Sequence, residues 1–145
     1  MAKYYAKKVK QQELTKDELK VLSNIPTKDV LEKYKGVQHA FNKQQEMENY
    51  LVKEANNFLK KYFNETLDIP LKISPRMTSI LGLFYATRNG TPIRIAITST
   101  YFRFEQKDIS RLMSTVFHEC VHYVLCKKGL RYFDDDLVFD MILNR

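Results

Sequence analysis

A chain of 145 residues, 44% hydrophobic and 12% aromatic, is long enough for one globular domain with a modest core. No stretch approaches the ~18 consecutive apolar residues of a membrane helix, and residues 1–12 lack an apolar signal core, so a cytoplasmic protein with no membrane partner is expected. The net charge of +7 is unevenly spread: residues 1–46 carry ten lysines against six carboxylates, residues 47–115 ten Lys or Arg against six, and residues 116–145 four against five. A basic body of this kind can hold DNA through non-specific electrostatics, although a solvated lysine-rich surface has the same signature. Two cysteines exclude a four-cysteine zinc ribbon. Cys120 and Cys126, six apart on one predicted helix, point in different directions and do not pair, as suits a reducing compartment.

Residues 1–45 read as a lysine-rich helical extension. Thr15-Lys-Asp-Glu18 forms a capping box leading into Leu19, Val21 and Leu22. Ile25-Pro26 breaks that helix, and Thr27 can cap a second through Val30, Leu31 and Tyr34 to Gly36. Two short helices around a break invite a helix-turn-helix reading, but no base-reading set stands out, and His39 reads as a surface residue. Over residues 47–63 the apolar positions Met47, Tyr50, Leu51, Ala55, Phe58, Leu59 and Tyr62 recur at helical spacing and mark a core-facing stripe.

A short strand pinned by prolines follows over residues 69–75. Two β-rich runs, 80–87 and 93–99, then flank Asn89-Gly90, a hairpin signal. The next helix can start on Asp108 or Ser110 and places Ile109, Met113, Val116, Phe117, Cys120, Val121 and Val124 on one apolar arc. Lys127, Lys128 and Gly129 form its stop signal, and a last helix is expected over residues 136–143. This order predicts an α+β fold. A helix and a short antiparallel sheet pack on one side of the 110–127 helix, in a domain spanning residues 46–145.

That helix contains Phe117-His118-Glu119-Cys120-Val121-His122, an HExxH motif. At about 100° per residue, His118 and His122 share a face one turn apart, off the centre of the apolar arc, where both can grip one metal ion. Glu119 lies beside them, where a carboxylate can take a proton from a metal-bound water. With three histidines and nine glutamates in the chain, chance supplies roughly 0.004 such motifs. Two imidazoles and a carboxylate suit Zn²⁺. A catalytic zinc usually takes three protein ligands, and no His or Glu follows His122. A downstream third ligand must therefore be an aspartate. The candidates are Asp134, Asp135, Asp136 and Asp140, of which the first three form a cluster that can equally cap the last helix.

The runs Ile73-Ser-Pro-Arg76, Leu81-Gly82-Leu-Phe84, Ile95-Ala-Ile-Thr98, Thr115-Val-Phe-His-Glu-Cys-Val-His-Tyr123, Gly129 and Tyr132-Phe-Asp-Asp-Asp-Leu-Val-Phe139 together resemble the SprT-like metalloprotease domain over residues 46–145. Asp134 stands at the position that many members fill with histidine, which makes it the first choice for the third ligand. The resemblance implies a zincin-like fold and a zinc-dependent endopeptidase acting on a protein or peptide substrate, in some relatives one bound to DNA. In that reading His118, His122 and Asp134 hold Zn²⁺, Glu119 is the general base, and residues 93–99 offer an edge on which an extended substrate adds as a strand. Tyr132 can steady the oxyanion or simply pack. Two other readings fit the same motif: an ImmA/IrrE-type peptidase that cleaves a repressor, and a non-catalytic basic DNA- or protein-binding module with a structural metal.

Overall fold

The computed structural model describes residues 16–24, 29–36, 43–74, 82–98 and 109–129. Two short helices come first, α1 (Lys16–Ser23) and α2 (Asp29–Glu32), the second running into a turn that ends at Gly36 with φ +72°. Helix α3 (Gln44–Phe63) buries Met47, Leu51, Ala55, Phe58 and Leu59 of the expected stripe, leaves Tyr50 and Tyr62 on its flanks, and buries Phe63 in addition. Each such Leu or Phe contributes about 1.5–3 kcal/mol by leaving water. Asn64 closes the helix in the left-handed region at φ 54°, and the Glu65 amide donates to the Leu59 carbonyl at 3.2 Å.

Three strands follow: β1 (Leu71–Ser74), β2 (Gly82–Ala86) and β3 (Pro92–Thr98). Asn89-Gly90 turns β2 into β3 as expected. Gly90 takes φ +86°, its amide donates to the Thr87 carbonyl at 3.0 Å, and the two strands pair antiparallel from Gly82↔Ile97 to Ala86↔Pro92. The sheet is nevertheless mixed rather than antiparallel. Its order is β1-β3-β2, with β1 parallel to β3 from Leu71↔Ile95 to Ser74↔Thr98. The hairpin signal fixes only the β2–β3 pair. Chain leaving α3 enters on the far side of β3, where Ile95 donates to the Pro70 carbonyl at 2.9 Å and aligns the two strands in one direction. Among the described residues the expected edge is thus not one: β3 is the central strand, buried from Ile95 to Thr98.

The motif helix, α4 (Ser110–Lys127), packs on α3, on both hairpin strands and on α2, while α3 covers β1. It begins without a side-chain cap, because Ile109 holds the cap position and Ser110 is the first helical residue; Asp108 lies outside the described residues. It stops as predicted, with Gly129 at φ +69° just beyond Lys127. Every residue from Leu112 to Cys126 is buried. The expectation of a helix packed on one side and open on the other gives way to a helix enclosed all round, as a central core helix is. Val30, Leu31 and Tyr34, from α2 and its turn, join the same hydrophobic cluster as α3 and α4.

Candidate metal centre

Helical period puts His118 and His122 one turn apart, and their rings meet edge-on at 4.6 Å and 84°. The Nε2 atoms are 3.1 Å apart. At that separation both nitrogens can lie about 2.0–2.1 Å from a single ion, the usual Zn–N distance. Geometry therefore permits a two-imidazole bite on one metal. The same contact is an N–H···N hydrogen bond when one ring carries the Nε2 proton.

Glu119 sits on the neighbouring stripe, with Oε2 4.0 Å from His118 Nε2. The residues His118, Glu119 and His122 are 4%, 6% and 3% exposed, so charge at this point acts through a medium far less screening than water. One further neighbour shapes the base. Gly82 opens β2 directly against it: a Cβ there would stand 2.9 Å from Thr115 Cγ2 and 3.3 Å from both Cγ and Oε2 of Glu119. Glycine lets the strand backbone come that close. Thr115 is anchored in turn by donating to the Arg111 carbonyl at 3.2 Å.

Sequence reasoning named His118, Glu119 and His122, and the structure brings them together. It missed the contact of Gly82 with Glu119, although a glycine inside a strand pattern is itself a sign of close backbone approach. It also missed Ser114, one turn before His118, whose hydroxyl is buried without a hydrogen-bond partner among the described residues. Asp134, Asp135, Asp136, Asp140 and Tyr132 lie outside the described residues, as do His39 and the expected final helix. Among the described residues no third His, Cys, Asp or Glu joins the histidine pair in a ligand group.

The cysteines are free and buried. Burial pushes the Cys120 thiol well above its ordinary range, with the Glu119 carboxylate adding to the effect. It raises Cys126 to about 11. Both therefore stay protonated at neutral pH and are poor nucleophiles or ligands. Cys126 instead donates its S–H to the Gly90 carbonyl at 3.0 Å, tying the hairpin turn to the end of α4.

The opposite tie is polar. Tyr123 donates to the Thr66 carbonyl at 2.8 Å and accepts from the Asp68 amide at 3.2 Å. Lys127 reaches Asp68 at 3.1 Å and Glu65 at 3.2 Å. These contacts fix the C-terminal half of α4, and with it His122, to the loop that feeds β1. No helix among the described residues is long and apolar enough to cross a membrane. The chain matches no protein-family model, no curated protein and no solved structure.

Proposed function

We propose that this chain is a zinc-dependent endopeptidase of SprT-like type. The observation that carries the reading is the 3.1 Å approach of the two Nε2 atoms, with the Glu119 carboxylate held beside them in a buried setting. His118 and His122 would hold the ion, completed by Asp134 from the segment that resembles the SprT-like ending. Bound there, zinc supplies a Lewis acid that polarises a peptide carbonyl and acidifies a water. Glu119 accepts the proton from the attacking water and returns it to the leaving amine. Gly82 and Thr115 keep its carboxylate in line. Among the described residues β2, not β3, is the sheet edge beside Glu119, so an extended substrate adds along β2.

One observation favours a second reading. All three motif side chains are nearly closed to solvent, as they would be around a structural ion with four protein ligands. Zinc retention and turnover separate the two. The full chain should hold about one equivalent of zinc, and His118→Ala or His122→Ala should lose it. Asp134→Ala should weaken zinc affinity most, Asp136→Ala less and Asp140→Ala least, in chelator competition. Glu119→Gln should keep zinc while slowing hydrolysis of DNA-binding proteins by about 10²–10⁴. Turnover unchanged in that variant removes Glu119 as the base, and zinc retained with no hydrolysis by the unmodified chain leaves the structural reading. DNA, the proposed partner of the basic body, should bind non-specifically and weaken steeply between about 50 and 200 mM salt.

A further inference from the structure

A recess of about 250 Å³ opens on the side of α4 that faces α2 and α3. Its lining includes four aromatic rings in a continuous chain. Tyr34 meets Phe117 at 5.9 Å, Phe117 stacks on Phe58 at 4.3 Å and 10°, and Phe58 meets Tyr62 at 5.4 Å. Tyr34, Phe58 and Phe117 are almost wholly buried and form the floor, whereas Tyr62 is partly exposed.

The cations are placed with the same regularity. Two Lys-Tyr dipeptides line the recess, one after α2 and one near the end of α3, and in each the lysine ammonium lies over its neighbour's ring. Lys33 is 5.0 Å from the Tyr34 centroid, and Lys61 is 5.2 Å from that of Tyr62. The Tyr62 face that exposed Lys61 covers is the one a flat partner can take when the lysine swings aside. The carboxylates nearby are already engaged. Glu32 accepts from Lys35 at 3.0 Å, and Glu54 accepts from Tyr34 at 2.6 Å and from Asn57 at 3.4 Å. Burial, and then the bond to Glu54, push the Tyr34 phenol far above its ordinary range, so it remains a donor to that carboxylate. Lys33 pairs with Glu54 only at a long 3.8 Å and its side chain is 64% exposed, and Lys61 is exposed, so both can swing to a ligand.

Lysines above the rings repel a cationic guest. Rings below and ammonium groups above suit a planar group that carries an anion. The volume falls just under the ~300 Å³ at which sites for drug-sized ligands begin, which is room for one ring system with its charged end at the rim. We propose that this recess binds a nucleotide, its base against the exposed part of Tyr62 and its phosphate between Lys33 and Lys61. Stacking tolerates any base, and the phosphate contact adds salt-sensitive affinity. The inference does not depend on the metal centre.

The test is titration of the full-length protein with thymidine 5′-monophosphate, read as NMR shifts of the Val30 methyl groups and of the Tyr34, Phe58, Tyr62 and Phe117 rings. Shifts confined to that set at millimolar ligand are expected. Ribose 5-phosphate, which lacks the base, and thymidine, which lacks the phosphate, should each bind on the order of tenfold more weakly. Lys61→Ala and Tyr62→Ala should each cost a similar factor, while Lys72→Ala on β1 should cost nothing. A short oligothymidylate that binds more tightly than the free nucleotide assigns the site to a single strand, and equal affinity assigns it to free nucleotide. The proposal is overturned by the absence of shifts at millimolar nucleotide, by unchanged affinity in Lys61→Ala, or by a phosphotyrosine peptide that shifts the same signals at lower concentration.

Discussion

A single hydrogen atom in place of a side chain at Gly82 decides how near the sheet comes to Glu119. Gly82→Ala puts a methyl group 2.9 Å from Thr115 Cγ2 and 3.3 Å from the carboxylate, and neither neighbour has free space to retreat into. The expected cost is about 1–3 kcal/mol, measured by urea unfolding. Hydrolysis should fall further than zinc affinity does, since the atoms nearest the methyl belong to Thr115 and the base. A variant that loses zinc first would show that the strand supports the ligands instead. Cys126 makes a second residue-scale point. Its thiol ordinarily ionises near 9.0 and is raised to about 11 by burial. Between those values the unfolded chain has released a proton that the folded chain keeps, so this residue's stabilisation is full below pH 9.0 and declines as pH rises towards about 11. Cys126→Ser keeps a donor for the Gly90 carbonyl and removes the titration. Unfolding curves taken across that window should therefore flatten in the variant.

The link between α3 and β1 is a buried carboxylate. Glu48 accepts from the Ile73 amide at 2.7 Å and lies 3.8 Å from Lys72, so an outward-facing strand N–H that would otherwise be stranded finds an acceptor. Glu48→Ala should cost about 1–3 kcal/mol in urea unfolding, and Glu48→Gln, which keeps an acceptor oxygen, distinctly less. Equal losses would mean that charge rather than the hydrogen bond holds the strand. This clamp also shows what the sequence could reveal. The α3 stripe, the Asn89-Gly90 turn and the stop at Gly129 were legible because periodicity and turn chemistry are local. The HExxH spacing was legible for the same reason, since one helical turn fixes it. The parallel placement of β1 was not legible, because it depends on an acceptor 25 residues away and on which side of β3 the chain enters. Nor was the enclosure of the histidines: an apolar arc on α4 gives one packed face, while packing by α2, α3 and the sheet is a long-range outcome.

At the scale of the molecule, α4 is the hub on which the other described layers rest, and its buried run from Leu112 to Cys126 includes the histidine pair. Such a helix cannot open without dismantling the core, so its backbone amides should trade hydrogen for deuterium only through global unfolding, whereas those of the short α1 should exchange by local fraying. The metal centre thereby gains a reporter that needs no substrate. A ligand that binds only the folded chain, at about a hundredfold above its Kd, adds about 2.7 kcal/mol and should slow exchange along α4 about a hundredfold while leaving α1 unchanged. Mass spectrometry of deuterated protein with and without zinc measures this. Equal slowing in His122→Ala would place the ion elsewhere. Because the candidate metal centre is built into the innermost helix, occupancy of two side chains can be timed on the isotope clock of the whole fold.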